Sequence, residues 1–195
     1  MTFLPCLSAC WVLFAATSLR AEDVHAVDFK NFSNRWQMRA LEGVPPSWQW
    51  LPPSRNSDIR LLNGIHRFQV PGAPVLGSPY LMFWSVAFGD LTGDGRDEAA
   101  VDLIYSSGGT ANWHYLYIYT AADGSPKLLG ILRSGSRADG GLVRATIQRR
   151  LLVLDFADTN RRMADCCSKG WVRVAYRWQD SHFAESGSRT YGDLK

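Results

Sequence analysis

The sequence predicts an all-β (mainly β) fold: an antiparallel curled sheet, barrel-like or partial-propeller-like, with an irregular N-terminal flank. Three observations carry that expectation. Apolar runs of strand length recur at short spacing from residue 59 onward. Asn-Gly, Asp-Gly and Gly-Gly dipeptides separate several of them. No amphipathic segment is long enough to make a helix, and many short strands with turn signals between them belong to sheets that curl or close.

Taken in order, the first 21 residues contain no acid and one base, Arg20, behind the apolar stretch Leu7 to Leu19. A core of ~10 apolar residues suits a signal peptide and falls short of the ~20 that span a bilayer. Cleavage is expected after Ser18 or Ala21, giving a secreted or periplasmic protein with no transmembrane span in its mature chain. Leu7-Ser8-Ala9-Cys10 has the form of a lipoprotein box, but apolar residues follow it instead of a polar tether, so an anchor at Cys10 is not expected. Residues 22–58 read as the irregular flank, broken by Pro45-Pro46 and Pro52-Pro53 and punctuated by Trp36, Trp48 and Trp50.

The β-rich domain is expected over 59–186. Ile59 to Leu62, Asn63-Gly64 and Ile65 to Val70 form a hairpin signal. Leu81 to Phe88 and Glu98 to Tyr105 are two long strands flanking one acidic turn. Trp113 to Tyr119 places Trp113, Tyr115, Tyr117 and Tyr119 on one face and His114, Leu116 and Ile118 on the other, so both faces call for cover. A turn at Ala122-Asp123-Gly124-Ser125 precedes Lys127 to Leu132. Strands at Leu142 to Ile147, Leu151 to Phe156, Val172 to Trp178 and His182 to Ala184 follow, and 187–195 reads as a polar tail.

With 21 Lys plus Arg against 18 Asp plus Glu, scattered along 195 residues, the net charge of +3 gives no footprint for nucleic acid. Of four cysteines, Cys6 and Cys10 fall in the leader, leaving the adjacent pair Cys166-Cys167. In an oxidising compartment its readings are a strained vicinal disulfide, a redox pair, a metal contact or two buried thiols. With no further soft ligand beside them, zinc is not favoured.

The chemistry-bearing segment is Asp90-Leu91-Thr92-Gly93-Asp94-Gly95-Arg96-Asp97-Glu98. In a calcium loop, side chains at the first, third and fifth places converge, glycine at the sixth allows the reversal, and the seventh supplies a carbonyl. Asp90, Thr92 and Asp94 fill the first three, Gly95 the bend, the Arg96 carbonyl the next, and Glu98 the ninth. Val101 at the twelfth place and flanking strands exclude an EF-hand. Calcium is therefore the expected cofactor, in a structural role, with the weak affinity of extracellular modules. The competing reading is a metal-free Asp-Gly turn that caps its own amides.

Catalytic constellations are absent: His25, His66, His114 and His182 are scattered, and Ser106-Ser107-Gly108-Gly109-Thr110 lacks the Lys of a phosphate loop. Asp139, Asp155, Asp158 and Asp165 are the carboxylates from which a hydrolase pair would have to come. The expected function is thus a non-enzymatic structural or protein-interaction module of the cell envelope, its partner an unknown protein or glycan. The alternatives are a carbohydrate-binding module, because the seven tryptophans left once Trp11 goes with the leader are many for this size, or a secreted hydrolase. Three or more coplanar, solvent-facing rings among Trp36, Trp48, Trp50, Trp84 and Trp113 would favour a sugar platform, and burial of all of them would remove it.

The acidic turn ending in Glu98-Ala99-Ala100-Val101 resembles the FG-GAP and VCBS calcium turns of integrin-type β-propellers over Val86 to Leu103. A single copy implies a local hairpin, not a propeller. The order of Phe88-Gly89-Asp90-Leu91-Thr92-Gly93-Asp94-Gly95, then Gly108-Gly109-Thr110, then Cys166-Cys167 is similar to that of uncharacterised secreted bacterial proteins. Such proteins often continue Cys-Cys-Pro-Ser and carry a cysteine before Gly-Gly-Thr, where this chain has Cys167-Ser168-Lys169 and Tyr105. The resemblance implies secretion and a cation turn, and it implies no activity.

Overall fold

The computed structural model describes residues 23–35, 48–51, 58–69, 78–122, 125–136, 139–163 and 167–194. The expected leader, Trp36, the Asp123-Gly124 turn, Asp165 and Cys166 lie outside the described residues. The fold is mainly β, with an antiparallel sheet curled as a half-barrel, and no helix of seven or more residues occurs among the described residues.

Short strands β1 (Ser33–Arg35), β2 (Gln49–Leu51), β3 (Asp58–Arg60) and β4 (Ile65–Arg67) precede four long ones: β5 (Tyr80–Gly89), β6 (Glu98–Ser106), β7 (Asn112–Ala122) and β8 (Ser125–Arg133). Strands β2 and β4 to β8 make one antiparallel sheet in the order β2-β8-β7-β6-β5-β4, while β1 pairs with β3 apart from it. Then come β9 (Leu142–Gln148), β10 (Leu151–Ala157), the two-residue β11 (Arg162–Met163) and β12 (Cys167–Ser168), β13 (Gly170–Gln179), β14 (His182–Glu185) and β15 (Thr190–Asp193). The second sheet runs β14-β13-β10-β9, with β15 also on β13.

Strand β7 explains the layering. Its tyrosine face, Tyr115, Tyr117 and Tyr119, packs with Leu81, Val101 and Leu103 against Val24, Phe29, Ile59 and Leu61 from the N-terminal segments. Its aliphatic face, Leu116 and Ile118, meets Leu152, Leu154, Phe156, Val172 and Val174 of the second sheet. The central sheet is therefore covered on both sides, as the two apolar faces of its sequence require. Burial pushes the Tyr117 phenol well above its ordinary range because the interior disfavours a phenolate.

Among the described residues, three β-bulges shape the sheets. Between Phe83 and Ser85 the β5–β6 register shifts by one residue, leaving Trp84 as the extra residue; the β9–β10 register shifts likewise, leaving Val143 unpaired. Trp84 is 57% exposed and Val143 43%, since a bulge turns its additional side chain off the packed face. The third lies between β7 and β8, at Ile118/Tyr119.

Two segments differ from their sequence expectation. Asn63 and Gly64 do make a tight turn, with φ of +52° and +82°, but the hairpin stops at the Leu62–Ile65 bridge. The turn's backbone is taken up elsewhere: the Gly64 N–H donates to the Lys30 carbonyl (2.7 Å) and the Phe83 N–H to the Gly64 carbonyl (2.7 Å). The strands on either side then part to β1 and β5. The stretch 187–195, read as a polar tail, contributes β15, which pairs Thr190–Asp193 with Arg173–Gly170. Gly192 makes this possible: a Cβ there would stand 2.3 Å from the Trp171 indole, so the ring lies against bare backbone.

Candidate functional site

Strands β5 and β6 end in register at Gly89 and Glu98, so the acidic turn spans the residues between them. Gly89 brings its base close to the second sheet, since a Cβ there would meet Ile147 Cγ2 at 2.5 Å. Within the turn Gly93 and Gly95 take φ of +85° and +83°, a left-handed conformation that glycine adopts without strain. Asp90 Oδ1 accepts from the Gly93 N–H (2.5 Å) and Oδ2 from the Gly95 N–H (3.3 Å), which closes the loop on its first residue.

Glu98 is the anchor. Its side chain is 0% exposed and its carboxylate accepts four hydrogen bonds. The Leu91 and Thr92 N–H groups donate to Oε2 (2.7 and 3.0 Å), and the Thr92 and Thr120 hydroxyls donate to Oε1 (3.3 and 2.9 Å). Four donors around a carboxylate are what lets it be buried without a cationic partner.

The other acids are engaged as well. Asp94 accepts from the Arg96 N–H, Nε and Nη2 (2.9, 2.9 and 2.5 Å), and the Arg96 side chain first, then its N–H, holds the carboxyl below the usual carboxylate range. Arg96 Nη1 also donates to the Ala121 carbonyl on β7 (3.2 Å). Asp97 meets His25 Nε2 at 2.9 Å, and the His25 ring stacks on Phe88 at 4.0 Å. Arg150, in the β9–β10 turn, lies 3.6 Å from Asp90 Oδ2. Both residues of that turn, Arg149 and Arg150, have positive φ (+52° and +62°), as the favoured two-residue hairpin loop between Gln148 and Leu151 requires.

The structure thus gathers Asp90, Thr92, Asp94, Arg96 and Glu98 into one turn, with their carboxylates facing protein donors. Among the described residues no three His, Cys, Asp or Glu side chains form a metal-ligand group. Cys167 is disulfide-bonded.

Among the described residues, the carboxylates considered for hydrolysis, Asp139, Asp155 and Asp158, are each held by other protein groups. Asp155, 3% exposed, is clamped between Arg144 (Nη2–Oδ2 2.6 Å) and Arg173 (Nε–Oδ1 2.6 Å), its direct neighbours on β9 and β13. Asp158 accepts from the Asn160 N–H, capping a 3-10 turn, and Asp139 accepts from Ser136 Oγ (2.9 Å). Burial works to raise the Asp155 carboxyl, but hydrogen bonds from Arg173 and Arg144 outweigh it and hold the group below its ordinary value.

Sequence reasoning missed the buried pair Asp102 and His114. His114 Nδ1 lies 3.1 and 3.0 Å from the two Asp102 oxygens, across β6 and β7. The visible signal was a polar residue on the covered face of each strand.

Of the tryptophans, Trp84 is exposed, while Trp48, Trp50 and Trp113 are half-buried. Trp48 stacks on Phe156 (4.0 Å, 7°) with the Arg189 guanidinium over its ring (5.2 Å), and Trp50 stacks on Phe183 (4.5 Å, 11°) with Tyr176 edge-on to it (5.4 Å). Both line a cleft of ≈340 Å³ with Tyr176, Phe183, Glu185 and Arg189. No family model, curated protein or solved structure matches the chain.

Two outcomes follow from these contacts. Replacing Glu98 by Gln turns an acceptor into a donor against four donors, so Glu98→Gln lowers unfolding free energy by about 1–3 kcal/mol, read from urea denaturation. Asp155 has its folded pKa below the unfolded value near 3.9. Its contribution is therefore full above about pH 4 and is lost as pH falls through the folded value. Urea midpoints measured against pH will show this acid limb in the wild type and a flatter one in Asp155→Asn.

Proposed function

We propose that the chain is an exported, non-enzymatic β-domain, a structural or protein-interaction module of the cell envelope, whose 90–98 turn is a calcium-strengthened clamp. The observation that carries this reading is what the turn joins. Through Asp97 it holds the N-terminal 3-10 turn at His25, through Glu98 and Arg96 it holds β7, and through Asp90 it meets the β9–β10 hairpin. One loop therefore touches both layers that cover the central sheet.

In the cation-loaded form Asp90, Thr92, Asp94 and the Arg96 carbonyl supply oxygen ligands, and Glu98 either completes the set or keeps its hold on the Leu91 and Thr92 amides. Binding requires Asp94 to exchange the Arg96 guanidinium for the ion. That exchange, with few charged ligands, suits an affinity on the order of 10⁻⁴ to 10⁻³ M, as in extracellular modules. Such a site is filled outside the cell and empty inside it, which agrees with the export signal at Leu7 to Leu19. No helix among the described residues is long and apolar enough to cross a membrane.

At ten times its dissociation constant, calcium adds about 1.4 kcal/mol of stability, or roughly 3–5 °C in Tm. Thermal melts with calcium and with chelator should differ by that amount in the wild type and coincide in the Asp90→Ala, Asp94→Ala double variant. Coincident wild-type curves overturn the clamp. Export has its own readout: intact mass of the protein recovered outside the cytoplasm of a bacterial host is expected to start at Leu19 or Glu22, and retention of Met1 overturns it.

A further inference from the structure

We propose that the cleft formed by Trp48, Trp50, Tyr176, Phe183, Glu185 and Arg189 binds a neutral saccharide unit through an aromatic wall and a carboxylate–guanidinium rim. It shares no residue with the 90–98 turn, and this inference is independent of export and of calcium.

The cleft is assembled where the sheets meet. Trp50 sits on β2, Tyr176 on β13, Phe183 and Glu185 on β14, and Arg189 just ahead of β15. Its volume of ≈340 Å³ lies at the small end of ligand sites. The aromatic wall is fixed before any ligand arrives, since Trp48 and Trp50 are stacked on Phe156 and Phe183. Trp178 packs on Phe183 from another side (4.8 Å). Rings held in this way lose little entropy on binding.

The rim selects the ligand's charge. Arg189 Nη2 lies 2.5 Å and Nε 3.3 Å from the Glu185 carboxylate oxygens, and its guanidinium sits 5.2 Å from the Trp48 ring centre. Both side chains keep over two-fifths of their surface exposed. An anion drawn to Arg189 would face Glu185, and a cation drawn to Glu185 would face Arg189. A ligand without net charge avoids both repulsions. A pair of neighbouring hydroxyls suits the rim directly: one donates to the Glu185 carboxylate while the other accepts from Arg189, both bonds being charge-assisted. The same ligand needs an apolar face for the aromatic wall. Saccharides combine adjacent hydroxyls with a C–H face in one rigid ring.

The test is titration of the full chain with chitotetraose, cellotetraose and maltotetraose, followed by tryptophan fluorescence and calorimetry. Glu185→Gln and Arg189→Gln each remove one half of the rim at exposed positions, and thermal melts verify that both fold. The expected result is saturable binding of at least one sugar by the wild type, weakened about tenfold or more in each variant. Three results overturn the proposal: no sugar bound at about 10 mM, binding that is equal in wild type and both variants, or a cleft that responds to a proline- and aromatic-rich peptide and to none of the sugars.

Discussion

The structure depends on a sheet that is apolar on both faces. Strand β7 carries tyrosines on one side and Leu116 and Ile118 on the other, and all of these are buried. A sheet of this kind cannot stand with one face in water, so two separate covers are required. The N-terminal segments provide one and the β9–β15 layer the other. The covers are unlike in kind. One is a true second sheet, packed by Leu152, Leu154 and Phe156. The other is an irregular layer in which Phe29 and Phe32 meet Tyr119 edge-on or tilted.

Three buried carboxylates within this apolar frame are each partnered in a different way. Glu98 is satisfied by neutral donors alone, Asp102 by a histidine, and Asp155 by two arginines. The difference follows from position. Glu98 lies at the mouth of a turn, where free backbone amides are available. Asp155 is on the outer side of the second sheet, where long side chains from adjacent strands reach across it with their heads partly in water. Its two flanking guanidiniums keep that carboxylate ionised despite burial. The acidic turn and the Asp155 clamp thus solve the same desolvation problem with backbone in one case and cross-strand charge in the other.

Much of this was legible in the sequence. The alternation in 113–119 assigned both faces of β7, and the long strands fall where apolar runs predict them. The turn glycines Gly93 and Gly95 announced the reversal at 90–98. Other features were hidden because they depend on partners distant in the chain. Asn63-Gly64 marks a turn, but nothing local tells that its amide goes to Lys30. The Arg149-Arg150 turn has no glycine or asparagine to mark it, although the two-residue hairpin loop it forms sets both residues at positive φ. The bulge at Trp84 was written in the sequence in a form that is easy to overlook: inward residues Leu81 and Phe83 are odd-numbered, Val86 and Phe88 even, so the parity changes between them. In the site, residue types and spacing located the turn. Which carboxylate would be buried among amides and which would pair with Arg96 depends on side-chain packing that spacing does not encode.

The pairing of β13 bears on how the molecule avoids its own copies. One flank of this ten-residue strand is occupied twice, by β15 along Gly170–Arg173 and by β14 along Tyr176–Gln179. Two four-residue strands placed end to end leave a broken outer border, where one continuous strand would have offered a ladder of unpaired amides and carbonyls. A stretched chain approaching that border finds no register longer than a few residues, and Arg189 stands at the gap between them. The irregular finish of the chain thereby acts as a barrier to edge-to-edge growth of the sheet.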